Sequence, residues 1–181
     1  SLQKGPEQRS IMFVGELNEE KAADLISALL VLSQEKPEDQ DRGEDIKLYV
    51  STYGGSAHEM FGIYDVMNFC KSFCDIQTIG IGKVMSAGTL ILAAGTKGKR
   101  CSLRFSKTML HQSSGGAIGN IQDARITMDE WEKTNDILFK LLGEYTGKTA
   151  KQVMKDSTRD KWMDADEALK YGIIDEVINQ N

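Results

Sequence analysis

The chain repeats one rhythm: a short apolar run, a glycine turn, then a segment with apolar residues every three or four positions. SIMFVG reads as a strand, and Asn18 then caps a helix whose first turn holds Glu19 and Glu20. Ala22, Leu25, Ile26, Leu29 and Leu32 form its apolar face. After a charged loop at 33–45, IKLYV is the next strand, and VSTYGG turns through Gly54 and Gly55 into a helix. DIQTIGIG reads as strand and turn, a helix starts at about Ser86, and KTMLHQ is a strand ending at His111. Such alternation predicts an α/β domain with a mostly parallel sheet and with ligands at the strand ends.

The 181 residues suffice for one domain with its own core, so a single domain over 1–181 is expected. A formal net charge of -5, with no block of lysines or arginines, argues against nucleic acid or an anionic membrane as partner. No run of about 18 apolar residues occurs, and SLQKGPEQ has no hydrophobic signal core. A soluble protein of a bacterial-type cytoplasm or a plastid stroma is the expectation. Cys70, Cys74 and Cys101 lie in apolar surroundings and read as small core residues. A zinc site at Cys70 and Cys74 would need further ligands, and the chain has only His58 and His111 to add, so no metal and no cofactor are expected. The Ser33/Lys36 spacing is a chance match in a solvated loop.

Further on, a helix from about Ile121 to Tyr145 carries Ile121, Ala124, Met128, Trp131, Leu138, Leu142 and Tyr145 in one stripe. At about 1.5 Å per residue it would reach roughly 38 Å, longer than a domain of this size needs. Subunit contact is the natural use of such a stripe, with Trp131 in its middle. Thr149 with Gln152, and Asp164 with Glu167, read as capping boxes, Gly172 ends the second helix, and IIDEVI is a final strand.

Two residues stand where chemistry could occur. Ser86, in GKVMSAGTLILAAG, is either an N-cap or a nucleophile exposed beside helix N–H groups that can hold an oxyanion. His111, at a strand end before the glycine-rich SSGGAIGN, is better placed to enter a cleft than the helix-borne His58. Spacing alone leaves His111 open between a catalytic base and a structural imidazole.

GKVMSAGTLILAAGTKGKR, KTMLHQSSGGAIGNIQDA and TRDKWMDADEALKYGIIDEVI, with VSTYGG and FGIYDVM ahead of them, resemble the successive signatures of the ClpP family, the proteolytic subunits of Clp proteases. The resemblance covers about 10–178. It implies Ser86 as nucleophile, His111 as general base, Asp160 as the group that orients the imidazole, and the N–H groups of Gly55 and Ala87 as oxyanion hole. Tyr53, Gly54, Ser113, Ser114, Gly115 and Gly116 would line the substrate groove.

The architecture so implied is a crotonase-like spiral of βαβ units, with a head at about 10–115 and 147–178 and a handle at about 116–146. The resemblance further implies two heptameric rings stacked face to face, with a ring ATPase threading unfolded polypeptide into the chamber. Arg159 matches an arginine that pairs across the ring interface. Of the two tyrosines usual for ATPase docking in the IKLYV strand, Lys47 replaces one and Tyr49 remains. Weak docking, a special partner or mixing with another ring subunit is therefore expected, the more so because the chain is expected to lack most of the family's axial pore segment. Tyr53 and Ser113 stand where the family has proline, Ala87 where it has methionine, and Val84 and Met85 where it has small residues. An inactive ring subunit and an acyl-CoA enzyme of the crotonase-like fold are the rival readings.

Overall fold

The computed structural model describes residues 9–112 and 119–179. Its strands are β1 (Ser10–Val14), β2 (Ile46–Thr52), β3 (Ile76–Met85), β4 (Arg100–Leu103), β5 (Lys107–Leu110), β6 (Lys161–Met163) and β7 (Glu176–Ile178). Its helices are α1 (Glu19–Gln34), α2 (Ala57–Cys70), α3 (Ala87–Ala93), α4 (Ile121–Thr146), α5 (Ala150–Asp156) and α6 (Ala165–Tyr171). Strands β1, β2, β3, β4 and β7 lie side by side, all parallel. β3 is long enough to serve two neighbours: residues 78–80 pair with β4, and residues 83–85 pair with β5. The strand and turn expected at DIQTIGIG thus continue as strand through Met85, directly up to Ser86. β5 then pairs antiparallel with β6.

Strand β2 alternates strictly, with Ile46, Leu48, Val50 and Thr52 buried and Lys47, Tyr49 and Ser51 half-buried on the opposite face. The buried face packs on Ala22, Leu25 and Leu29 of α1 and on Met60, Ile63 and Met67 of α2. Every residue of α3 is buried, which its small and apolar sequence AGTLILA permits. Cys70, Cys74 and Cys101 are buried free thiols, and burial pushes each thiol up from its ordinary value. Among the described residues no group of His, Cys, Asp and Glu could hold a metal, and no helix is long and apolar enough to cross a membrane.

Helix α4 starts on Asn120, whose side chain accepts from the N–H of Gln122 and Asp123, and ends at Gly147 in the left-handed region. Leu138, Phe139 and Leu142 are buried near its end, whereas Ile121, Ile126 and Met128 near its start are exposed. Two local expectations need correction. Ser33 lies in the last turn of α1, buried, its hydroxyl donating to Leu30 O, so the solvated loop begins later. At α5 only half of the capping box forms: Thr149 accepts from Gln152 N, but the Gln152 amide turns to Asp156. The Asp164–Glu167 box at α6 is complete.

One buried ion pair joins the sheet to the helices. Arg100, with its side chain 4% exposed, donates two charge-assisted hydrogen bonds to Asp175 and others to the carbonyls of Ala93 and Tyr145. It ties β4, the chain just before β7, and the ends of α3 and α4 together.

Candidate active site

Ser86 joins the end of β3 to the start of α3 with φ 56° and ψ -120°. It is the one non-glycine residue with positive φ among the described residues. Such a backbone costs on the order of 1–3 kcal/mol and must be held by its surroundings. The holding bonds are visible: Ser86 N–H donates to Met109 O of β5, and Ser86 O accepts from Thr89 N–H, both at 3.0 Å. Thr89 Oγ1 donates to Met109 O at 3.1 Å, a second tie between elbow and β5. The Ser86 side chain makes no cap bond, although it occupies the N-cap position. Its hydroxyl is therefore not consumed by the helix, which removes the plain capping explanation for it.

The β2–α2 turn lies against this elbow. A β-carbon on Gly54 would sit 2.7 Å from Ser86 Cβ and 3.2 Å from Ser86 Oγ, and one on Gly55 would run into Leu17 O. Thr52, fully buried, shapes the turn: its hydroxyl donates to Gly15 O at 2.5 Å and accepts from Gly54 N–H at 3.0 Å. Leu17 N–H donates to Gly54 O, and Ser56 N–H to Leu17 O. These bonds leave the N–H groups of Gly55 and Ala87 without an acceptor among the described residues.

His111 follows the last residue of β5, and Asp160 precedes the first residue of β6. Because Leu110 pairs with Lys161, the antiparallel register sets His111 opposite Asp160. His111 Nδ1 lies 3.8 Å from Asp160 Oδ1, close enough for an ion pair but longer than a hydrogen bond. The His111 side chain is 28% exposed and that of Asp160 60%. No hydrogen bond joins the Ser86 hydroxyl to the His111 ring among the described residues. Ser86 and His111 do face the same cleft of about 460 Å³, which Tyr53, Gly55, Ser56, Ala57, His58, Glu130, Trp131 and Thr134 complete.

Of the residues expected at the site, Ser86, His111, Gly55 and Tyr53 line this cleft, with Gly54 and Ala87 directly beside Ser86. Asp160 stands behind His111. Ser113, Ser114, Gly115 and Gly116 lie outside the described residues. Trp131, expected at a subunit contact, is half-buried on the cleft wall. Arg159 is exposed beside Asp160. Lys47 and Tyr49 lie on the half-buried face of β2 and are not among the residues that line the cleft. Tyr53 is 70% exposed, with Lys83 Nζ 4.9 Å from its ring centroid and also donating to Ser51 Oγ. Sequence reasoning missed Thr52, Leu17 and the wall formed by His58, Glu130 and Thr134. The polar Thr52, two residues before the glycine pair, was the one available signal.

The Clp protease family model matches residues 3–181. The ATP-dependent Clp protease proteolytic subunit of Streptococcus mutans serotype c is 43% identical over 175 residues, covering 96% of this chain and 86% of that protein. Proteins of the same name from Streptococcus pyogenes serotypes M5 and M49 match to the same extent. These matches run through every element that frames the cleft, and the chain belongs to the Clp protease family.

Proposed function

We propose that this chain is a serine endopeptidase subunit that cleaves peptide bonds through an acyl-enzyme. Ser86 Oγ attacks the scissile carbonyl and passes its proton to His111, which later delivers it to the leaving amine. Asp160 holds the ring and supports the imidazolium as it forms. The N–H groups of Gly55 and Ala87, left without acceptors, receive the oxyanion. The observation that carries this reading is Ser86 itself, a left-handed residue whose hydroxyl caps nothing and faces the cleft it shares with His111.

The substrates are unfolded polypeptides and peptides, and the working form is a pair of stacked heptameric rings served by a Clp ring ATPase or mixed with another ring subunit. Residues at about 10–115 and 147–178 form the head, and those at about 116–146 the handle. Arg159 has no partner among the described residues, and the 3.8 Å gap between His111 and Asp160 is loose for a working pair. Pairing of Arg159 across the ring interface would act one residue from Asp160 and draw that gap closed. Lys47 and Tyr49 mark the ATPase contact, where an ammonium is a poor lining for an apolar loop.

A fluorophosphonate probe tests the chemistry. Labelling of wild type at Ser86, together with loss of both labelling and peptide turnover in Ser86→Ala, supports the endopeptidase. An intact, assembled protein that neither labels nor cleaves points to the inactive ring subunit. Coenzyme A binding without labelling points to the acyl-CoA enzyme.

A further inference from the structure

We infer, resting on the endopeptidase reading, that the wall of the cleft formed by Glu130 and Trp131 is a subsite for a cationic substrate side chain, arginine or lysine. The charge balance of the lining is the first reason. Among the described residues it holds one carboxylate, Glu130, and no lysine or arginine. Lys133, which pairs with Glu130, is not itself part of that lining.

The second reason is the state of the aromatic faces. Tyr53, Tyr145 and Tyr171 each have a lysine ammonium over the ring. Trp131, the strongest cation-binding ring of the four, has none among the described residues. A guanidinium stacked on Trp131 would have Glu130, the adjacent residue on α4, as a carboxylate to bond, the combination that suits arginine best.

Glu130 is engaged, but weakly. It pairs with Lys133 one turn along the same helix, with both side chains about two-thirds exposed. Exposed i,i+3 pairs hold little free energy, so a substrate cation can take the place of Lys133 without a large cost. Ala57, a small residue of the lining, takes up little space, and about 460 Å³ is ample for one long side chain. Tyr53, by contrast, is already occupied by Lys83 and serves as a fixed rim.

Matched fluorogenic peptides carrying arginine, lysine, citrulline, leucine or glutamate at each of the three positions before the cleaved bond test this, with wild type, Glu130→Gln and Lys133→Met. At one position wild type should prefer arginine over its neutral isostere citrulline by about fivefold in kcat/KM at low salt. That ratio should shrink toward unity near about 0.5 M salt, where exposed charges are screened. Glu130→Gln should abolish the preference, and Lys133→Met, which frees the carboxylate, should raise it by about twofold. Ser86-dependent turnover with no arginine preference at any position overturns the inference and leaves the endopeptidase standing. A preference that survives Glu130→Gln unchanged also overturns it. Absence of any Ser86-dependent turnover overturns both.

Discussion

Gly54 and Ser86 are packed so closely that no side chain fits between them: a β-carbon at position 54 would lie 2.7 Å from Ser86 Cβ. The φ of 106° at Gly54 adds a second reason for glycine there. Gly54→Ala should push the elbow out of place while leaving the sheet folded. The expected result is a loss of at least about 100-fold in peptide turnover, because small misplacements of a nucleophile are costly. Fluorophosphonate labelling of Gly54→Ala at the wild-type rate, with circular dichroism unchanged, would contradict this.

Thr52→Val keeps the shape of the buried side chain but removes the acceptor of Gly54 N–H and the donor to Gly15 O. It should lower stability by about 1–3 kcal/mol, the usual cost of orphaning buried polar groups. Thr52→Ser should recover most of it. Urea unfolding of the three proteins is the measurement, and equal midpoints for Val and Thr would show the turn is held by other means.

Asp160→Asn is expected to separate rate from stability. Its side chain is 60% exposed, so unfolding should change by no more than about 0.5 kcal/mol. Turnover should fall on the order of 10³- to 10⁴-fold, since the amide cannot hold the ring in the tautomer that accepts the Ser86 proton. A modest rate loss would remove Asp160 from the catalytic group.

The pair of Arg100 and Asp175 sets an acid limit on stability. The hydrogen bonds from Arg100 hold the Asp175 carboxyl below the usual carboxylate range, against an opposing push from burial. The folded value is thus below the unfolded one, near about 4. The pair's contribution is complete above that unfolded value and is lost as pH falls through the folded one. Asp175→Asn leaves a buried guanidinium unpaired and should cost about 3 kcal/mol at pH 7. In unfolding measured from pH 7 down to about 2, the gap between wild type and variant should narrow only below about pH 4. A gap independent of pH would assign the loss to packing.

Lys47→Tyr should increase degradation of a folded substrate in the presence of a Clp unfoldase, while short-peptide turnover stays as it was, because Lys47 is not among the residues that line the cleft. The expected gain is about tenfold, the worth of relieving one partly desolvated charge. Equal degradation by both proteins would place the ATPase contact elsewhere.

Much of this fold is legible from periodicity. Asn18, Asp164 and Gly172 bound their helices where capping chemistry says they should, and β2 alternates as half-buried strands do. Short strands were harder. β4 and β6 have four and three residues and lack the apolar runs that marked the equally short β5 and β7. They exist because β3 and β5 offer them open edges, which is a tertiary cause. At the cleft, Ser86 and His111 could be singled out from strand ends and glycine turns, but neither could be told from a structural residue by spacing. Asp160 carried no local signal, since its place beside His111 depends on the β5–β6 register. Glu130 and Trp131 were hidden for a related reason. A helical stripe gives the spacing of a face, not which neighbour that face meets.

The three-rung β5–β6 ladder also orders events during synthesis. Ser86 and His111 leave the ribosome well before β6, the strand that sets Asp160 opposite His111. With Asp160 in its proposed role, an emerging polypeptide carries an elbow whose base is not yet oriented. Nascent chains stalled before Lys161 should accordingly react with a fluorophosphonate far more slowly than the finished protein, and equal reactivity would contradict this. On the proposed reading, hydrolytic competence waits until β6 has paired with β5.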